Sequence, residues 1–421
     1  MNQPVNRNSP SCGGCGSSLP IAFLDLGMTP LVNSYLRRED LDRVEDRFPL
    51  AVAHCPSCYL VQVTNHVPPE KMFSEYLYFS SFSDSFVEHA RQMADSLISA
   101  FGLDDSSRVM EIASNDGYLL RFFLARGIPV LGVEPAQNIA AAAQRQDILT
   151  LCRFFGPAVV EEVVSSFGKS DLIIGNNVLA HVPEINGFLS AVAACLKPAG
   201  AAVFEFPYVR ELLDRIEFDT IYHEHVYYYS LSAVKLLAER AGLELFDVER
   251  QSVHGGSLRI FLQTPRARAI TENVRKILAD EVGAGLTSAE SFISFGTRVE
   301  RLKASLLSML TELKNSGKRL AAYGAPAKGN TLLNYCGIGA DLLDFTVDLS
   351  PHKQGLYLPG SHLPILAPSM LLERGPEYTV ILPWNIADEI IGQQREYLAS
   401  GGNFILPIPE PRILSNSRLS S

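Results

Sequence analysis

Between Ser106 and Gln263 short apolar runs recur at the spacing of alternating strands and helices. S-R-V-M-E-I-A predicts a buried strand, S-N-D-G-Y a turn, and L-L-R-F-F-L-A-R-G a helix closed by glycine. I-P-V-L-G-V-E-P predicts a second strand ending in the carboxylate of Glu134. A-Q-N-I-A-A-A-A-Q-R then gives a helix, S-D-L-I-I-G-N-N-V-L a third strand, G-F-L-S-A-V-A-A-C-L-K a helix and G-A-A-V-F-E-F a fourth strand. Leu243–Val248 and Ser257–Gln263 complete the sheet, so 69–265 is expected to be a doubly wound, Rossmann-like α/β domain. From 266 to 316 the pattern is helical and charged, without a strand-like run, and predicts a helical connector. A second α/β unit, 317–421, opens with the strand K-R-L-A-A-Y-G-A, the turn G-A-P-A-K-G-N and the helix start T-L-L-N-Y-C. D-F-T-V-D, Y-T-V-I-L-P-W-N and N-F-I-L-P-I-P are its later strands, with R-E-Y-L-A-S-G closing a helix.

Residues 1–68 carry a different signal. Cys12 and Cys15 form one C-x-x-C pair and Cys55 and Cys58 another, a spacing that lets four thiolates converge on one tetrahedral zinc with no position left for water. Such a site holds a fold together and does no chemistry. Two disulfides or a redox C-x-x-C are the alternatives. Cys152, Cys195 and Cys336 stand singly and suit inert buried thiols. A chain of 421 residues with 47% hydrophobic residues is expected to divide into several globular domains. It has no apolar run near the ~20 residues a membrane span needs, and its first residues lack the apolar core of a signal peptide, so a cytoplasmic protein is expected. A formal charge of -10 argues against duplex nucleic acid as a partner. The oligomeric state is open, with a monomer as the working expectation.

The candidate chemistry of the first α/β domain lies in its turns. E-I-A-S-N-D-G-Y resembles the motif with which S-adenosylmethionine-dependent methyltransferases hold their cosubstrate. In that arrangement Glu111 ends the strand, and Ala113, Ser114, Asn115 and Gly117 bring backbone N–H groups toward the methionine moiety and ribose. Glu134 is placed to accept from both ribose hydroxyls, and the polar pair Asn176 and Asn177 closes the third strand on the adenine side. A nicotinamide dinucleotide is the competing cofactor, but its G-x-G-x-x-G fingerprint is reduced here to Gly117, and S-N-D would crowd a pyrophosphate.

Taken together, the four-cysteine module, E-I-A-S-N-D-G, G-V-E-P-A, N-N-V-L-A-H-V-P, Y-H-E-H-V-Y-Y-Y-S, H-G-G-S-L-R and Y-G-A-P-A-K-G-N-T resemble, in order and spacing over nearly the whole chain, the nucleotide-sugar C-methyltransferases of deoxysugar biosynthesis. The resemblance implies zinc-binding, methyltransferase and sugar-nucleotide-binding domains, and methyl transfer to C3 of a dTDP-linked 4-keto-deoxysugar. Ala113 departs from the pattern, which often has glycine there. Carbon becomes a nucleophile only when a proton beside a carbonyl is removed, so a base, a donor to the enolate oxygen and an in-line methyl are required, and no metal.

I-Y-H-E-H-V-Y-Y-Y-S concentrates such groups. If extended, it puts His223 and His225 on one face and Tyr222 and Glu224 on the other; if helical or looped, the faces mix. The resemblance implies His225 as general base, with Tyr222 and Glu224 orienting it or stabilising the enolate. His181 is the reserve. Tyr76 and Tyr78 follow the cysteine module and are placed to reach over the site, interdomain packing being their alternative. In the C-terminal unit the resemblance implies sugar-nucleotide contacts from Tyr323, Lys328, Asn330 and His352, against a plain strand–turn–helix packing motif. His254 and Arg259 of H-G-G-S-L-R would add a cation to that cleft, against a tight β-turn. The competing functions are a methyltransferase of this architecture acting on another small acceptor or at oxygen, a zinc- and nucleotide-binding scaffold without activity, and a tandem-Rossmann dehydrogenase.

Overall fold

A computed structural model of the chain describes residues 10–68, 81, 84–251 and 253–415. Three sheets organise it. The first, of four strands, contains β1 (Leu24–Thr29), β2 (Phe48–His54) and β3 (Val61–Val63) in antiparallel succession. The second has β4 (Val109–Ile112), β5 (Val130–Val133), β6 (Thr150–Leu151), β7 (Ser170–Asn176) and β8 (Leu196–Pro207) in parallel. β9 (Tyr227–Tyr228) leaves that region and pairs with β3, completing the first sheet, whereas β10 (Glu244–Gln251) and β11 (Ser257–Gln263) return antiparallel onto β8. The resulting order is β10-β11-β8-β7-β4-β5-β6. The third sheet, β14-β13-β12-β15-β16-β17, consists of β12 (Leu320–Tyr323), β13 (Thr346–Val347), β14 (Ile365–Leu366), β15 (Tyr378–Ile381), β16 (Asn403–Leu406) and β17 (Arg412–Leu414). Only β17 runs antiparallel in it.

The expected strands of both α/β units are therefore present, as is their doubly wound arrangement. Strand order reverses at β4, which pairs with β5 on one side and β7 on the other, and at β12 between β13 and β15. Ligands bind α/β sheets at such reversals, beyond the carboxyl ends of the strands. The charged stretch after β11 forms the helices Glu272–Gly283 and Ala289–Asn315. In the longer one Phe292, Phe295, Val299, Leu302, Leu306 and Leu310 are buried at helical spacing, so a single apolar stripe runs along its length. Gly296 lies on that stripe, and a Cβ there would meet the Phe23 carbonyl oxygen at 2.4 Å. Glycine thus lets the N-terminal sheet rest its backbone directly on the helix, where His54 also stacks on Phe292 with centroids 4.3 Å apart.

A buried carboxylate ties this connector to the central unit. Glu281 accepts from the Tyr208 hydroxyl at 2.9 Å, the Ser232 hydroxyl at 2.6 Å, and the backbone N–H groups of Leu231 and Ser232 at 2.6 and 2.8 Å. Those N–H groups begin the helix Leu231–Arg240 and have no partner within it, so Glu281 satisfies them from outside. No helix among the described residues is long and apolar enough to cross a membrane.

Candidate active site

Four thiols meet where the first sheet's turns converge. Cys12 and Cys58 sulfurs lie 3.5 Å apart, as do Cys15 and Cys55, and all four lie within 4.8 Å of one another. A disulfide needs ~2.05 Å, and the seven cysteines are unpaired, so neither knuckle is oxidised in this structure. Four thiolates about 2.3 Å from a tetrahedral ion stand roughly 3.8 Å apart, a geometry these residues approach without rearrangement.

At the carboxyl ends of β4 and β7 the polypeptide makes tight turns. Ala113, Asn115 and Asn177 take left-handed backbone angles with φ of 55°, 50° and 54°, and Gly117 has φ of 80°. Ala113 therefore occupies the conformation that glycine adopts without strain, and the chain tolerates its methyl there. Gly117 is required on two counts, since a Cβ would also meet Ile148 Cδ1 at 2.1 Å. Glu111 is the penultimate residue of β4, not its end. Glu134 receives the N–H of Asn115 at 3.1 Å and of Ala136 at 2.9 Å, clamping the turns after β4 and β5 together. Burial pushes its carboxyl up, against those two donors.

Buried acceptors without a partner among the described residues collect at the same sheet edge: both Glu111 oxygens, Ser114 Oγ, Asp116 Oδ1 and Asn176 Oδ1. Burial first, then Glu134 and Asp116, drive Glu111 well above the usual carboxylate range. Stranding such groups is costly unless a ligand supplies donors. A crevice of acids and orphaned acceptors fits S-adenosylmethionine, whose sulfonium and ammonium are cationic, and repels a pyrophosphate. Glu205 was not picked out from sequence, although it is a lone charge in the apolar run V-F-E-F. It binds His89 at 2.9 Å and Arg259 at 2.9 and 3.1 Å. Burial raises its carboxyl, but His89 and Arg259 outweigh burial and hold it below the usual range.

The segment from Ile221 to Ser230 is not extended throughout. A turn at Tyr222–His225, closed by His225 N–H on the Tyr222 carbonyl at 2.9 Å, precedes β9, so the looped alternative with mixed faces is the one adopted. Three residues apart across this turn, the Tyr222 hydroxyl meets His225 Nε2 at 2.9 Å. His225 Nδ1 lies 2.9 Å from the Thr220 carbonyl, and His181 Nδ1 2.7 Å from the Glu224 carbonyl. A carbonyl only accepts, so both rings carry their proton on Nδ1 and present Nε2 as the basic nitrogen when neutral. Their centroids are 4.9 Å apart. Burial lowers the His181 pKa, opposed by its bond to the Glu224 carbonyl. His223 turns away, buried edge-on against Phe48. The three tyrosines that follow are anchors: Tyr227 donates to the Pro183 carbonyl, Tyr228 to Thr220 and Tyr229 to Leu179.

The C-terminal unit closes on this turn from the other side. Asp219, fully buried, accepts from the Trp384 indole at 2.7 Å, and Thr331 donates to the Ile221 carbonyl at 3.2 Å. Burial pushes Asp219 to about 6 and Glu217 to about 8, the latter helped by Asp219, while Lys328 pulls both down. Lys328 donates to Asn385 and lies over the Trp384 ring. Of the other sugar-nucleotide candidates, Asn330 is buried and donates to the Val32 carbonyl at 2.6 Å, which makes it an interdomain contact. Tyr323 is buried and His352 is exposed. Arg259 sits in the seven-stranded sheet, bound by Glu205 and Glu249. Tyr76, Tyr78 and the side chain of His254 lie outside the described residues. Asp219, Glu217 and Asn33, whose amide donates to Glu224 at 2.7 Å, were not picked out from sequence.

Three family profiles match successive parts of the chain. Residues 12–73 match the family profile described as "Putative zinc binding domain", 86–248 one described as "Methyltransferase domain", and 252–409 one described as "C-methyltransferase C-terminal domain". The chain is 37% identical to the C-methyltransferase NovU of Streptomyces niveus over 98% of its own length and 99% of NovU. Ubiquinone biosynthesis O-methyltransferase of Rhodopseudomonas palustris (strain TIE-1) is 34% identical over 23% of this chain and 38% of that protein. Among solved structures, magnesium protoporphyrin IX methyltransferase of Synechocystis with bound SAM aligns with a TM-score of 0.32 and 16% identity over 46% of this chain and 88% of that one. The chain belongs to the family of S-adenosylmethionine-dependent C-methyltransferases that join an N-terminal cysteine-bearing module, a methyltransferase domain and a dedicated C-terminal domain.

Proposed function

We propose that this enzyme methylates C3 of a nucleoside-diphosphate-linked, most simply dTDP-linked, 4-keto-deoxysugar through an enolate, and that its four thiolates hold one structural zinc. The observation that carries the reading is the Tyr222–His225 pair, an imidazole held at Nδ1 by a backbone carbonyl and at Nε2 against a phenol, on a turn clamped between the methyltransferase sheet and the C-terminal unit. S-adenosylmethionine supplies the methyl group. As the sugar enters, the Tyr222 hydroxyl turns from His225 Nε2 to the oxygen at C4, His225 Nε2 removes the proton at C3, and Tyr222 with the protonated form of Glu224 donates to that oxygen as charge moves onto it. His181, whose ring lies beside that of His225, is the reserve base. Lys328, at the start of the helix Ala327–Cys336, is the choice for a phosphate of the sugar nucleotide. A cytoplasmic location goes with these soluble small-molecule substrates.

The test is product mass. Incubated with S-adenosylmethionine and a panel of 4-keto sugar nucleotides, the protein should add one methyl to carbon. Transfer only to oxygen, or to none of the panel, would overturn the substrate assignment. Glu134 gives a separate check on the cosubstrate. Glu134→Ala removes the acceptor for the ribose hydroxyls, at about 1.5–3 kcal/mol for each charge-assisted bond. Calorimetric affinity for S-adenosylmethionine should fall at least tenfold, with sugar-nucleotide affinity little changed. Unaltered affinity for S-adenosylmethionine would refute the ribose role.

A further inference from the structure

The Pro30–Leu36 segment of the N-terminal module has no regular structure, yet it is fixed at several points by the C-terminal unit. The Val32 carbonyl accepts from Asn330 Nδ2 at 2.6 Å, the Tyr35 hydroxyl donates to the Ala325 carbonyl at 2.6 Å, and Leu36 pairs through its backbone with Tyr357. Between these anchors stands Asn33, itself exposed, whose Nδ2 reaches 2.7 Å to Oε1 of Glu224, a residue 191 positions away and only 7% exposed. An exposed donor on one unit therefore caps a buried acid on another. We infer that Asn33 is a positioning residue of the active site, holding the Glu224 carboxyl in the orientation from which it serves the reacting sugar, so that the cysteine-bearing module completes the catalytic constellation. What Glu224 does for the sugar rests on the substrate reading above; the hold that Asn33 has on it does not.

Among the described residues, the titratable groups placed against Glu224 include His181, bonded to its backbone carbonyl, His225 next in sequence, and Tyr35, whose ionisation Glu224 opposes. Burial pushes the Glu224 carboxyl up to about 7, and the Asn33 amide is the opposing effect that favours its ionised form. Loss of the amide must raise the titration further, and a carboxylate in its place must raise it more, since like charges disfavour each other's ionisation.

The experiment uses the full-length, metal-loaded chain. Difference infrared spectra, each background minus its Glu224→Gln counterpart, isolate the protonated-carboxyl band of Glu224 and give its titration midpoint without any substrate. Asn33→Ala should move that midpoint up by about one pH unit, the size expected for losing one hydrogen bond to a charged group, and Asn33→Asp further. With the sugar nucleotide and S-adenosylmethionine, the Glu224 limb of the pH profile of kcat should move with it, while KM stays within about twofold. Asn33→Asp preserves side-chain shape and serves where Ala loosens the segment. If both variants titrate and turn over on the wild-type curves, Asn33 is a bystander and the inference is wrong. A wild type that methylates no 4-keto sugar sinks the substrate reading alone, because the infrared midpoints still decide the hold on Glu224.

Discussion

His225→Asn is expected to lose methyl transfer and the washing of solvent deuterium into C3 together, each by roughly 10²–10⁴-fold, the contribution of a positioned base. Proton removal precedes methyl transfer, so exchange can be followed in D2O with S-adenosylhomocysteine in place of the methyl donor. The structural ground is the tautomer. The Thr220 carbonyl at 2.9 Å holds the proton on Nδ1, which makes Nε2, met by the Tyr222 hydroxyl at 2.9 Å, the basic nitrogen of the ring. Asn keeps a polar group against that carbonyl but has no basic nitrogen, so both ligands should still bind. Tyr222→Phe, which leaves the imidazole in place, should slow turnover while retaining measurable exchange if the phenol serves the enolate oxygen. The outcome that would overturn the assignment is near-normal turnover in His225→Asn with loss in His181→Asn. The two rings are only 4.9 Å apart, so this comparison separates them where geometry alone does not.

The parts of the molecule legible in sequence are those that local chemistry specifies. The strands β4, β5 and β7 fall inside the apolar runs that predict them, because a strand buried on both faces needs an unbroken run of such residues, whereas β8 outruns G-A-A-V-F-E-F at both ends and takes in Leu196 and Lys197, which were expected to close a helix. The pairing of Tyr222 with His225 was within reach for the same reason, as a turn brings residues three apart together. β6 has two residues, Thr150 and Leu151, too few to leave a pattern. Tyr227 and Tyr228 look like part of an aromatic cluster, yet they form β9, because their partner is Val61–Gln62, far off in the chain. Distance in sequence also hid Asn33 and the Trp384–Asp219 bond, which spans 165 positions. A usable signal did exist at Glu205, a lone carboxylate in an otherwise buried stretch. Such a residue is retained only where the fold supplies it with donors.

Cys55→Ser, or extraction of the metal by a chelator, is expected to unfold the N-terminal module and abolish sugar methylation while leaving S-adenosylmethionine binding largely intact. Elemental analysis should find about one zinc per wild-type chain and a small fraction of that in the variant. A structural zinc contributes about 10–16 kcal/mol in small metal-binding folds, against roughly 5–15 kcal/mol for the whole stability of a typical domain. The module therefore does not outlast the ion. One face of the seven-stranded sheet packs on a core of its own around Val109, Leu172 and Val203, and this part is expected to persist without the ion. Loss of turnover follows from how the first knuckle supports the catalytic turn. Gly13 donates its N–H to Gln62 Oε1 at 3.0 Å, and a Cβ on Gly13 would lie 2.0 Å from the Tyr227 hydroxyl, so the knuckle packs against β3 and β9 at once. β9 begins two residues after His225, and Asn33 hangs from the same module. Slackening the thiolates thus frees both the turn bearing Tyr222 and His225 and the amide on Glu224. A Cys55→Ser chain that keeps one zinc, melts with the wild type and methylates at full rate would show that the tetrad is not what holds this module together.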